Sequence, residues 1–135
     1  MTLKEGRAAI RLPAQDLARA RKFYSEKLGL EPAEERPGGL LYRSAGCDFG
    51  LFESASASEG AFTQMGWEVD DIEATVAELR SRGVQFEDYD LPGIKTIDGI
   101  ATIEGNYPSK GGKGERAAWF HDSEGNLLGM GEPLR

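Results

Sequence analysis

Ile10 to Pro32 reads IRLPAQDLARARKFYSEKLGLEP, and Gly66 to Asp88 reads GWEVDDIEATVAELRSRGVQFED. Few side chains are identical, yet both stretches follow one plan: a short apolar strand, an acidic residue, a helix with one apolar stripe, then glycine before another strand. Asp16 matches Asp70 and Gly29 matches Gly83 at one offset (70 − 16 and 83 − 29 both give 54). A shared register of this kind marks an internal repeat, and a repeat decides the fold before any single motif does.

The physics of each copy agrees with that reading. Asp16 stands where a side-chain oxygen can accept from the free N–H groups of a helix start, and Asp70 or Asp71 can do the same in the second copy. Leu17, Ala20, Tyr24 and Leu28 recur at helical spacing, as do Ile72, Val76 and Leu79. Gly29 and Gly83 fit the left-handed position that ends a helix. Strands are then expected over Leu30 to Arg36, Leu40 to Ser44 and Asp48 to Glu53, broken at Pro37-Gly38-Gly39 and Ala45-Gly46. In the second copy they are expected over Gln85 to Tyr89, Thr96 to Glu104, Arg116 to His121 and Asn126 to Gly131.

The sequence therefore predicts an α+β fold of two βαβββ modules forming a curved mixed sheet around a cleft. It forms a single domain over residues 1–135, with modules at 7–53 and 61–132 and the Ser/Ala-rich stretch 54–60 as connector. Each module alone is too small for a good core, so the two are expected to bury their sheets against one another.

Bulk composition narrows the function. The 135 residues are 39% hydrophobic, enough for one compact core. A formal charge of −7 argues against nucleic acid, which needs a concentrated positive surface. No apolar run approaches the length of a membrane span, and Met1 to Arg7 lacks a signal-peptide core, so a cytoplasmic location is expected. Cys47 is the only cysteine, which excludes an intrachain disulfide and a Cys-rich zinc site. In its turn-like setting after Gly46 it reads as incidental rather than nucleophilic.

The order Asp16-Leu17 to Phe23-Tyr24 followed by Leu28-Gly29-Leu30, the copy Val69-Asp70-Asp71 to Arg82-Gly83-Val84, and the closing stretch Trp119-Phe120-His121-Asp122-Ser123-Glu124-Gly125-Asn126 resemble the vicinal oxygen chelate superfamily. That superfamily contains glyoxalase I, bleomycin-resistance proteins, fosfomycin-resistance enzymes and extradiol dioxygenases. The segment Tyr89 to Ala101 resembles a hairpin of small bacterial members of unassigned role. The likeness runs from about Arg7 to Glu132.

Metal-dependent members of that family take His or Gln early in each module and Glu late. A divalent ion needs three or four such donors and one open position to polarise a substrate oxygen. Here the resemblance puts the early positions at Ala9 and Gln64, and the late ones at Gly129 and at Gly50 or Leu51. Alanine and glycine have no donor, and one histidine, His121, cannot supply two. No metal and no other cofactor is expected.

If Gln64 faces the cleft, Gly66 and Glu68 share its side; Ala9 likewise brings Arg7 and Arg11, and Gly129 brings Leu127 and Gly131. Small residues then leave room for a flat organic ligand. Arg11 could pair with a ligand carboxylate or phosphate, or with Glu68 across the cleft. Trp67 and Trp119 could be stacking platforms or core, as could Phe52, Tyr42 and Tyr107. His121 could be solvated, stabilise the turn, or act as a base beside Glu124; Glu68 and Glu53 are the other candidate acid–base groups. Asn106 to Gly114 lacks the G-x-x-x-x-G-K-[ST] order of a phosphate cradle and reads as a loop at the cleft mouth, where Lys110 or Lys113 could screen an anion.

The resulting expectation is a homodimeric protein that binds a small organic molecule in the cleft between modules, possessing no metal and sequestering an antibiotic or metabolite. The alternative is a glyoxalase-like lyase or isomerase, or a dioxygenase, using a divalent metal or a metal-free acid–base step.

Overall fold

The structure, a computed structural model, describes residues 2–105 and 112–135. The first copy forms β1 (Ile10–Ala14), α1 (Leu17–Leu28), β2 (Glu34–Arg36), β3 (Gly39–Ser44) and β4 (Cys47–Glu53). The second forms β5 (Met65–Glu68), α2 (Ile72–Ser81), β6 (Asp90–Leu91), β7 (Ile94–Ile97), β8 (Ile100–Glu104), β9 (Gly114–His121) and β10 (Leu127–Leu134). The strands lie in two mixed sheets, ordered β1-β4-β3-β2 and β5-β10-β9-β8-β7-β6. In each sheet the strand before the helix runs parallel to the last strand of its copy, β1 beside β4 and β5 beside β10.

Both helices begin on an aspartate. The Asp16 carboxylate accepts from the Arg19 N–H, and that of Asp71 from the Ala74 N–H, each satisfying a donor that has no partner within the helix. Asp71, not Asp70, is thus the true counterpart of Asp16. Gly29 (φ 72°) and Gly83 (φ 96°) both take the left-handed turn that the sequence assigns them.

Each helix buries its stripe on its sheets, Ala20 and Tyr24 from α1 and Ile72, Val76 and Leu79 from α2. Alternate strand residues meet them: Leu12, Ala14, Leu40, Tyr42, Phe49 and Leu51 from the first sheet, and Met65, Ala118, Phe120, Leu128 and Met130 from the second. These form one core across both copies. An aromatic chain runs through it, from Tyr24 to Tyr42 and Phe49, edge-on to Trp67, and on to Phe120 and Phe86.

Three strand assignments need correction. Of Leu30 to Arg36, only Glu34–Arg36 is a strand. Thr96 to Glu104 is not one strand: Asp98 (φ 54°) and Gly99 (φ 81°) make a two-residue turn joining β7 and β8. Two successive positive φ angles are what a primed hairpin turn requires, and Asp-Gly supplies them cheaply. Gln85 to Tyr89 is not a strand either; only Phe86 bridges to Phe120. The short hairpin of β6 and β7 therefore extends the second sheet beyond three strands after its helix.

Candidate functional site

The faces turned away from the helices differ between the sheets. On the second sheet an open groove of about 650 Å³ is lined by Gln64, Gly66, Glu68, Ile94, Ile103, Glu115, Ala117, Trp119, Gly129, Gly131 and Pro133, with Thr63 at one end. Three of the four paired floor positions carry no side chain, since Gly66 pairs with Gly129 and Gly131 with Glu68. The gap is filled from the neighbouring strand. A Cβ on Gly129 would lie 3.2 Å from Trp119 Cδ1, and one on Gly131 would lie 2.5 Å from a Glu115 carboxylate oxygen. So Trp119 lies across the glycine floor, buttressed edge-on by the Tyr89 ring at 5.4 Å.

Of the residues singled out from sequence, Gln64, Glu68 and Trp119 line this groove. Trp67 touches its wall, but its ring turns inward, stacked on Phe120 and edge-on to Phe49. Arg11, Phe52 and Glu53 do not line it: they stand on β1 and β4 of the other sheet, Arg11 opposite Gly50 and Phe52 opposite Pro13. The cleft expected between modules is thus corrected to a groove lined by residues of the second copy, because Arg11, Phe52 and Glu53 stand on a separate sheet. Tyr42 is buried in the core, its hydroxyl without a hydrogen-bond partner among the described residues, and burial pushes that hydroxyl's pKa up to about 12. Tyr107 and Lys110 lie outside the described residues. Lys113 is exposed at the foot of β9, and Cys47 is exposed where β4 begins.

The register also tests the metal positions. Arg11 and Gly66 each stand five residues before their helix cap, and they pair with Gly50 and Gly129. Gly50, not Leu51, is therefore the counterpart of Gly129. The four positions hold Ala9, Gln64, Gly50 and Gly129, with one side-chain donor among them. That donor is engaged: Gln64 Oε1 accepts from the Ser58 hydroxyl (2.7 Å) and the Leu127 N–H (3.2 Å), and Nε2 donates to Asn126 Oδ1 (3.0 Å). This set does not fit a divalent ion, which needs at least three available donors. Among the described residues, no group of three or more His, Cys, Asp or Glu could hold one.

The hairpin turn joining β9 and β10 carries a buried polar network that the sequence reading did not anticipate. Asp122 accepts from the Tyr24 hydroxyl (2.7 Å), the Glu124 and Asn126 N–H groups, and Asn126 Nδ2. Asn126 Nδ2 also donates to the Pro13 carbonyl. Burial and the Asp122 carboxylate push the Tyr24 hydroxyl well above its ordinary range. Glu124 accepts two bonds from the Arg19 guanidinium, one from the Asp16 N–H and one from Ser123. Burial alone would raise its pKa, but these donors prevail and hold it at about 2. The turn thus grips α1 and β1 of the other copy.

His121 lies outside that network. Its Nδ1 is 2.7 Å from Glu87 Oε1 and its Nε2 is 3.2 Å from the Gly60 carbonyl, so its carboxylate neighbour is Glu87 rather than Glu124. Partial burial disfavours its charge, but the bonds to Glu87 and Gly60 prevail and its pKa is raised.

A family model, Glyoxalase/Bleomycin resistance protein/Dioxygenase superfamily, matches residues 6–130, and the chain belongs to that superfamily. Among solved structures it is similar to a glyoxalase/bleomycin resistance protein/dioxygenase from Alicyclobacillus acidocaldarius, with 18% identity over 97% of this chain and 93% of that one and a TM-score of 0.71. It is also similar to TnmS3, an antibiotic binding protein from Streptomyces sp. CB03234, with 22% identity over 93% of each chain and a TM-score of 0.60. The fosfomycin resistance protein FosX from Listeria monocytogenes, solved with Mn(II) and sulfate, shares 13% identity over 96% of this chain and 91% of that one, with a TM-score of 0.66. At these identities the likeness establishes the fold. No curated protein sequence matches the chain.

Proposed function

We propose that the chain is a cytoplasmic, homodimeric two-module domain that sequesters a planar organic molecule, an antibiotic or a metabolite, in the groove of its second sheet without a metal ion. The observation carrying this reading is the combination at the groove floor: Trp119 laid over Gly129, in a space of about 650 Å³. An indole face supported from below offers a planar ligand stacking area at little entropic cost. The locked Gln64 amide argues in the same direction, since its oxygen, the atom an ion would recruit, already accepts two hydrogen bonds. The antibiotic-binding role stated for TnmS3 supports the substrate class. Phe52, 40% exposed on the first sheet, supports a second copy seated there.

One observation favours an enzymatic alternative. The Glu68 side chain lines the groove, where it could move a proton in a metal-free lyase or isomerase step. The two readings part in one experiment. The protein is purified without chelator, assayed for bound metal, and screened by thermal melting against planar antibiotics and metabolites. The binding reading expects a ligand that raises the melting point in the wild type and not in Trp119→Ala, and that is recovered unchanged. Recovery of a chemically altered compound, with turnover lost in Glu68→Gln, would establish the alternative; stoichiometric metal would overturn the metal-free reading.

A further inference from the structure

His121 is the only histidine of the chain, and both its ring nitrogens face acceptors. One is a carboxylate oxygen of Glu87 and the other is the Gly60 carbonyl oxygen. A neutral imidazole has one N–H and can satisfy only one of them; the other nitrogen then points a lone pair at an oxygen. Only the imidazolium donates to both.

The two acceptors belong to different segments, which do not themselves line the groove but each adjoin a residue that does. Gly60 lies in the connector between the copies, which is folded tightly over the β9–β10 turn: a Cβ on Gly60 would collide with the Gly125 carbonyl and lie 2.8 Å from the imidazole. Three residues beyond the connector, the chain supplies Thr63 and Gln64 to the groove. On the other side, the Glu87 N–H donates to the Trp119 carbonyl, and Tyr89 supports the Trp119 ring. His121 itself sits two residues beyond Trp119 on β9. The ring therefore joins the connector end of the groove to the segment that flanks its aromatic platform.

We propose that His121 is a pH-dependent clasp: as imidazolium it ties the connector at Gly60 to the segment at Glu87, and on losing its proton it releases the connector and loosens the Thr63–Gln64 end of the groove. The charged groups acting on the ring are Glu87, from the segment after α2, and Asp122, from its own turn; the connector contributes the neutral Gly60 carbonyl. Both carboxylates favour the protonated ring. The clasp contributes fully below the ordinary histidine range and is lost as pH rises through the raised value in the folded protein. The inference does not depend on what the groove holds.

The test uses the full chain labelled with ¹⁵N. The ring titration of the single histidine is followed by NMR, alongside hydrogen exchange at the Gly60 and Gln64 amides, corrected for the intrinsic pH dependence of exchange. The clasp predicts that protection at these amides falls about fivefold in step with ring deprotonation, the effect of one charge-assisted bond at a partly exposed site. Glu87→Gln shifts both midpoints together to lower pH, and His121→Asn holds protection at its high-pH level throughout. A ring that titrates while protection changes by less than about twofold, or in a pH range unrelated to the ring, overturns the proposal.

Discussion

The two helices start alike but are held by different means. At α2, Glu132 of β10 accepts from the Ile72 N–H, so the second copy supports its own helix. At α1, the corresponding help comes from Glu124, which accepts from the Asp16 N–H and from Arg19 across the boundary between copies. One hairpin thus serves both helix starts. A repeat gives each module its own cap, but the joint between modules is one-sided: the second copy reaches out and the first receives. The groove lies on the copy that reaches out, so the buried turn that fixes the two copies together also anchors one end of the strands flooring the groove.

The comparison can be broken by removing one glutamate at a time. Glu124→Gln should have the largest effect, because it leaves four donors facing a weaker acceptor inside the interface. Urea unfolding at neutral pH should show a loss of roughly 3 kcal/mol. The same joint gives the wild type an acid limb. With its carboxyl lowered from the ordinary 4.5 to about 2, Glu124 stabilises the fold above pH 4.5, and this contribution is lost as pH falls toward 2. Stability measured against pH should decline over that window in the wild type and much less in Glu124→Gln.

A smaller effect is expected for Tyr24→Phe. It removes one bond to Asp122 but leaves the donors from Glu124 and Asn126 in place, so the cost should be roughly 1–2 kcal/mol in the same unfolding assay. The smallest belongs to Glu132→Ala, which frees a single helix-start N–H at the partly exposed end of β10 and should cost about 1 kcal/mol. Equal losses for Glu132→Ala and Glu124→Gln would mean that the joint is no stronger than an ordinary helix cap.

These contrasts also explain what the sequence could and could not reveal. The helices were legible because their causes are local: Asp16, an apolar stripe through Ala20 and Tyr24, and Gly29 all act within 14 residues of chain. Turn chemistry at Asp98-Gly99 is equally local but is masked in the sequence, because the apolar residues on either side continue a strand pattern. The joint was not legible at all. Tyr24 looks like core until its hydroxyl meets Asp122, 98 positions away, and Glu124 looks like a turn residue until Arg19 reaches it from 105 positions away. Gln64 is a candidate from its spacing alone, yet its engagement by Asn126 depends on a pairing 62 residues distant. His121 drew attention by its uniqueness, but its partner Glu87 lies in a segment read as a strand.

Crystals of protein prepared without chelator and soaked with a set of planar aromatic compounds would show what the groove holds. The expected result is density for a ring stacked on Trp119 above Gly129, with the Gln64 amide still bonded to Ser58 and Asn126. A cation held by Gln64 and two further protein donors, or compounds bound only on the first sheet, would contradict it.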